Sequence, residues 1–113
     1  MRSRVDLLAE LLNLKRPASE VTKELAPLGW DSDEELVVLT REHLGAVLQR
    51  FVLGTLNADE TSSWAEAIEG RDDIGLQKAF EPLLKQLLFE LANPDITQEL
   101  TLLRAETLIR DLR

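Results

Sequence analysis

Cysteine is absent from this 113-residue chain, so neither a disulfide framework nor a thiolate nucleophile or metal ligand is available to it. The single histidine, His43, has no serine partner at a sharp glycine-flanked turn, and one histidine without thiols does not predict a zinc site. The five glycines form no phosphate-binding pattern. These absences predict a protein without catalytic residues, cofactor or metal, whose role is to bind another macromolecule.

Long apolar runs are also absent, and none approaches the ~20 residues of a transmembrane helix. The first residues are basic, but the apolar stretch behind them is broken by Asp6, Glu10 and Asn13. That pattern predicts an amphipathic helix rather than a signal peptide. With cysteine missing as well, we expect a soluble protein in a reducing, cytoplasmic compartment.

The chain is rich in acidic residues, with 21 aspartates and glutamates against 13 lysines and arginines. Its net charge is -8, which argues against nucleic acid and against anionic lipid, because both require a basic surface. Residues 1–30 have a net charge of +1, residues 31–73 of -8 and residues 74–113 of -1. The middle third therefore carries the whole imbalance, which favours a basic protein as the partner.

Apolar residues recur at helical spacing along most of the chain, and the hydrophobic fraction of 44% is typical of a globular protein. Residues that commonly cap helix N-termini precede these apolar segments: Ser3, Thr40, Asn57 with Glu60, and Thr101. The pattern predicts a single all-α domain spanning residues 1–113, an irregular bundle of five to six short helices. Trp64 falls on an inward position, and Leu102 is expected to face inward in the last helix.

The segment from Gly29 to Leu39 is ambiguous. Its last four residues, 36–39, favour a β-strand, but a single strand has no partner in a helical chain. We therefore interpret it as a loop with an apolar anchor. Trp30 is expected to plug the bundle or to belong to an interface.

Four carboxylates, on Glu66, Glu69, Asp72 and Asp73, would share one face if their helix continued past Gly70, and such a face could hold Mg²⁺. The Glu-x-x-Glu pair of Glu66 and Glu69 resembles half of the motif of MazG-type nucleotide pyrophosphatases. The Glu-x-x-Asp half overlaps it at Glu69 and Asp72, so it cannot come from a facing helix. A solvated polar face is the alternative interpretation, and we expect no metal here.

The stretch from Thr40 to Gly75, with the segment from Leu88 to Asp95, resembles small bacterial proteins grouped with colicin-D-like immunity proteins, and related helical families found around toxin systems. The similarity covers roughly half the chain and consists mainly of helix caps and core positions. It implies a small acidic helical protein that blocks the basic active site of a nuclease with carboxylates in place of phosphates.

An immunity-type inhibitor of a basic toxin or nuclease is therefore the first hypothesis, with partner contacts made by the central acidic residues. These are Asp31, Asp33, Glu34, Glu35, Glu66, Glu69, Asp72 and Asp73. The second hypothesis is a structural or regulatory interaction module, for example a homodimer, which an apolar surface patch would favour. A metal-dependent nucleotide hydrolase is the third. The three predict different surfaces, so the placement of these carboxylates decides between them.

Overall fold

The computed structural model describes residues 3–29 and 32–113, so the Asp31 and Trp30 predictions lie outside the described residues. The regular elements are helices α1 (Arg4–Leu12) and α2 (Ala18–Leu25), strand β1 (Val37–Leu39), helices α3 (Arg41–Val52) and α4 (Ala58–Ile68), strand β2 (Ile74–Leu76), and helices α5 (Glu81–Ala92) and α6 (Leu102–Asp111). Short 3-10 helices cover Ala26–Leu28 and Lys78–Phe80. The predicted helical bundle is confirmed in its broad form.

Side-chain caps set the starts of the helices where the sequence places them. The Asn57 side chain accepts from the Glu60 amide at 2.8 Å, and the Glu60 carboxylate accepts from the Asn57 amide at 2.9 Å. Thr101 caps α6 by accepting from the Arg104 amide. Each cap satisfies an amide that has no partner inside its helix, so these short helices begin at defined residues.

The prediction that residues 36–39 form a loop without a strand partner is wrong. β1 pairs in parallel with β2, with Val37 opposite Ile74 and Leu39 opposite Leu76. The Leu36 and Val37 amides extend the ladder by donating to the Asp73 carbonyl. The molecule is therefore mainly helical rather than strictly all-α, and the sheet joins the chain before α3 to the chain after α4.

The core is built from the inward stripes of the helices around Trp64, which is completely buried. Its indole nitrogen donates to the Leu11 carbonyl at 2.8 Å, so the most voluminous buried side chain also satisfies a carbonyl near the end of α1. Thr61, Ala65 and Ile68 are buried on the same face of α4, and the inward prediction for Trp64 is confirmed. The inward prediction for Leu102 is wrong: its side chain is exposed on the first turn of α6.

The helices pair antiparallel in two places. The first residues of α4 and the last of α5 border one hollow, and the last of α4 and the first of α5 border another. The Arg41 guanidinium donates to the Leu112 carbonyl at 3.2 Å, which sets the start of α3 beside the end of α6. Within the described part of the chain, the structure has no helix with the length and apolar character needed to cross a membrane.

Candidate functional site

Part of the predicted acidic set meets in one groove. α4 ends at Ile68, and Gly70 turns the chain towards β2 with a left-handed backbone, φ 84°. Between this turn, β2 and the first turns of α5 lies a groove of about 390 Å³. Its charged lining residues are Glu35, Glu69, Asp72 and Glu81, with Arg71 and Lys85. We call this surface the acidic groove; of the four carboxylates among its described lining residues, three come from the predicted set.

Glu35 reaches the groove because the β1–β2 pairing carries it there. It precedes the ladder that Leu36 begins, and its carboxylate lies over Gly75 in β2. A Cβ atom at position 75 would overlap this carboxylate, so glycine leaves the space that the Glu35 side chain fills. The strand pair therefore brings together two acidic segments that are far apart in the sequence.

Asp73 has a different role from its neighbours. Its side chain is buried at 0% exposure, and it accepts from the Arg4 Nε at 2.9 Å and from the Arg71 Nε and Nη2, each at 2.9 Å. Arg71 also donates to the Gly29 carbonyl at 3.2 Å. Asp73 is therefore not part of an exposed acidic surface; it links α1, the segment before β1 and β2.

The charge state of Asp73 follows from these partners. Burial alone would raise the pKa of its carboxyl group, because removing a charge from water is unfavourable. The hydrogen bonds from Arg71 and Arg4 outweigh burial and hold the pKa below its usual value. The carboxylate is therefore ionised at neutral pH and already neutralised within the fold.

The remaining predicted residues that the structure describes lie outside the groove. Asp33 and Glu34 are exposed in the loop before β1, and Glu66 is exposed on α4 one turn before Glu69. Because α4 ends at Ile68, its carboxylates do not continue along a helical face to Asp72. In residues 3–29 and 32–113, no group of three or more histidine, aspartate or glutamate side chains is placed to hold a metal ion.

Two groove residues were missed by the sequence reasoning. Glu81 and Lys85 lie on the first turns of α5, in a segment whose net charge is close to zero. No local signal marks them, because only the antiparallel packing of α5 against α4 brings them to the groove. Lys85 also places one cation among the carboxylates, so the groove is not uniformly acidic.

An apolar surface lies at the opposite end of α5. Because α3 and α6 are antiparallel, the end of α3 lies beside the start of α6. The Arg104 side chain and the Thr97 hydroxyl group both bond Glu90 near the end of α5, which holds the loop before α6 at the same place. Four large aliphatic side chains in these segments are exposed: Leu53, Ile96, Leu102 and Leu103. We call these four residues the apolar end.

A third hollow, of about 310 Å³, lies between the α1–α2 turn and the start of α4. Both of its arginines are engaged within the fold: Arg16 bonds Glu10 and Glu24, and Arg50 donates to the Leu14 carbonyl at 2.8 Å. These bonds hold the α1–α2 turn in place, so this hollow is a weaker candidate for a charged partner than the acidic groove.

Comparisons of the chain with models of protein families, with curated proteins and with solved structures found no match. The resemblance to colicin-D-like immunity proteins therefore stays a prediction. The function has to be argued from the two surfaces themselves.

Proposed function

We propose that this protein binds a basic protein partner through the acidic groove, in the manner of an immunity-type inhibitor of a basic toxin or nuclease. The observation that carries the proposal is the convergence of Glu35, Glu69 and Asp72 on one groove. They come from two segments of the region that holds the net charge of -8. A cationic cleft on a partner would be steered towards such a surface and matched by it.

The structure also supports the availability of this charge. Glu35, Glu69 and Asp72 are all exposed, and Arg71, which lines the groove with them, is engaged with the buried Asp73. Lys85 is the remaining cation in the groove. Among the described residues, no ion pair engages Glu35, Glu69 or Asp72, so the groove presents a net negative charge to a partner. A cytoplasmic location belongs to the same proposal, because a chain without cysteine is suited to a reducing compartment.

The test is growth rescue of cells that express a toxin encoded next to this protein's gene, together with a pull-down of that toxin. The variant combines Glu35→Lys, Glu69→Lys and Asp72→Lys. The matched control makes the same charge change at the other end of the molecule, with Asp95→Lys, Glu99→Lys and Glu106→Lys. We expect the groove variant to lose rescue and the control to keep it. Unchanged rescue by the groove variant would rule out this role for the groove.

The apolar end supports a second candidate, an interaction module that forms a homodimer. Leu53, Leu102 and Leu103 expose 68%, 56% and 73% of their surfaces, and a large exposed apolar patch on an isolated protein typically marks an interaction site. Sedimentation over a range of concentrations tests it. A dimer that Leu103→Glu dissociates would support this candidate, whereas a monomer at every concentration would exclude it.

A further inference from the structure

One aromatic side chain is placed on the outside of the molecule beside the acidic groove. Phe89 lies on α5 with 47% of its surface exposed. Pro82, Lys85, Gln86 and Phe89 follow at helical spacing and form the outward face of the helix, opposite the buried Leu84, Leu87, Leu88 and Leu91. Of the aromatic side chains that the structure describes, Phe89 is the only one in the exposed class.

The Phe89 surface is continuous with the groove. Glu69, Pro82, Lys85, Gln86 and Phe89 line a shallow, open depression of about 400 Å³. Glu69 and Lys85 also line the acidic groove, so the two depressions share a border. A partner segment that reaches the carboxylates from this side passes over the Phe89 ring.

The combination of an aromatic face with a neighbouring carboxylate fits arginine better than lysine. The guanidinium group is planar, so it can stack on a ring while its edge donates two hydrogen bonds to a carboxylate. The molecule already uses the stacking half of this arrangement, because the Arg41 guanidinium lies 3.9 Å from the centre of the Phe80 ring. At Phe89, the ring and the Glu69 carboxylate are both open to a partner.

Charge decides which occupant suits this surface. A second copy of the chain has a net charge of -8 and would bring its own carboxylates towards Glu35, Glu69 and Asp72. A basic segment of another protein removes that repulsion and matches the groove. The complementary partner is therefore a cationic segment rather than a second copy.

We propose that Phe89 and Glu69 together bind an arginine side chain of the partner, with the guanidinium group stacked on the ring and paired with the carboxylate. This inference rests on the proposed function and names the residue type that the groove recognises. Phe89 contributes the contact that distinguishes arginine from other cations, and the carboxylates of the groove contribute the attraction.

The test is an NMR titration of the ¹⁵N-labelled full chain with two short synthetic peptides, which alternate leucine with either arginine or lysine. We expect the arginine peptide to shift the amides of residues 69–72 and 81–89 and to bind more tightly than the lysine peptide. Phe89→Ser should lower the affinity for the arginine peptide about two- to fivefold, as expected for an exposed cation–π contact. It should leave the affinity for the lysine peptide almost unchanged.

The control variant, Val5→Ser, removes an exposed apolar side chain of α1 that lines neither depression, and it should leave both affinities unaltered. Equal binding of the two peptides, or no effect of Phe89→Ser, would overturn the arginine contact. If binding were then still lost on reversal of Glu35, Glu69 and Asp72, the acidic groove would remain the partner site. Concentration-dependent shifts at Phe89 without peptide would assign the surface to a second copy and overturn the inference.

Discussion

At the scale of single residues, Asp73 shows that the role of a carboxylate depends on where the fold places it. Asp72 and Asp73 are neighbours in a charged connector, yet Asp72 is exposed on the groove and Asp73 is fully buried. The reason is that the Asp73 carbonyl joins the β1–β2 ladder, while its side chain points to Arg4 and Arg71. In the sequence the two residues are equivalent adjacent acids. The strand pairing buries one of them and leaves the other exposed.

We expect Asp73→Asn to lower the free energy of unfolding by about 2–3 kcal/mol, because Arg4 and Arg71 lose a charged acceptor in a buried position. Asp72→Asn, at the exposed neighbouring position, should change it by less than about 0.5 kcal/mol. Urea denaturation of both variants and the parent at neutral pH measures the difference. Equal effects at the two positions would contradict the structural role of Asp73.

The same pair of variants gives a pH dependence. The pKa of Asp73 in the folded protein lies below its unfolded value of about 3.9, so the unfolded chain takes up the proton first. The contribution of Asp73 to stability is therefore complete above about pH 3.9 and is lost as the pH falls through the folded pKa. The difference in free energy of unfolding between the parent and Asp73→Asn should stay constant above about pH 3.9. It should become smaller as the pH falls below about 3.9 and through the folded pKa.

At the scale of elements, the helices could be predicted and the sheet could not. Asn57 with Glu60, Thr40 and Thr101 mark helix starts through hydrogen bonds that span three residues, so a local pattern is enough. β1 and β2 each have three residues and are separated by α3 and α4. Their pairing depends on how those two helices pack, and no local pattern contains that information. Glu35 reaches the groove only through this pairing.

The start of α3 has an unusual cap in which a histidine takes the place of the common glutamate. The His43 Nδ1 accepts from the Thr40 amide at 3.0 Å, and the Thr40 hydroxyl accepts from the His43 amide at 3.3 Å. Nδ1 must be unprotonated to accept, so the neutral ring carries its proton on Nε2. Burial lowers the pKa of His43, against the opposing effect of Glu42.

This cap predicts a loss of stability in mild acid. Since the folded pKa lies below the unfolded value of about 6.5, the cap is intact above that pH and is lost as the pH falls through the folded pKa. We expect a decrease on the order of 1 kcal/mol, the usual contribution of a helix N-cap. His43→Gln keeps an acceptor that does not titrate, so its denaturation midpoints should lack this step. A step of the same size in His43→Gln would assign the pH effect to other groups.

At the scale of the whole molecule, the two surfaces lie at opposite ends of α5. The acidic groove borders the first turns of α5, and the apolar end comprises exposed side chains after α3, before α6 and on the first turn of α6. The charge imbalance of residues 31–73 included Glu35, Glu69 and Asp72, which line one groove, but it also included the buried Asp73. It could not include Glu81, which a different helix supplies. The sequence shows which segments are rich in carboxylates, but only the packing of the helices and strands decides which carboxylates meet in the groove.

The acidic groove should also destabilise the free protein. Like charges gathered on one surface repel each other, and Glu69 adds to this because it caps the C-terminal end of α4, where the helix dipole disfavours negative charge. Neutralising the groove with Glu35→Gln, Glu69→Gln and Asp72→Asn is therefore expected to raise the free energy of unfolding. The gain should be about 0.5–1 kcal/mol at low ionic strength.

Measuring stability at high salt distinguishes the relief of charge repulsion from other effects of the substitutions on the free energy of unfolding. At 1 M salt the screening length falls to about 3 Å, so the gain should largely disappear. The control variant, with Asp95→Asn, Glu99→Gln and Glu106→Gln, removes the same charge from the other end and should gain less at low salt. Urea denaturation of the three proteins at low and high salt measures both differences. Equal gains in the two variants would show that the repulsion is spread over the whole molecule, whereas a larger gain in the groove variant would locate the repulsion in the acidic groove, where the proposed basic partner would relieve it.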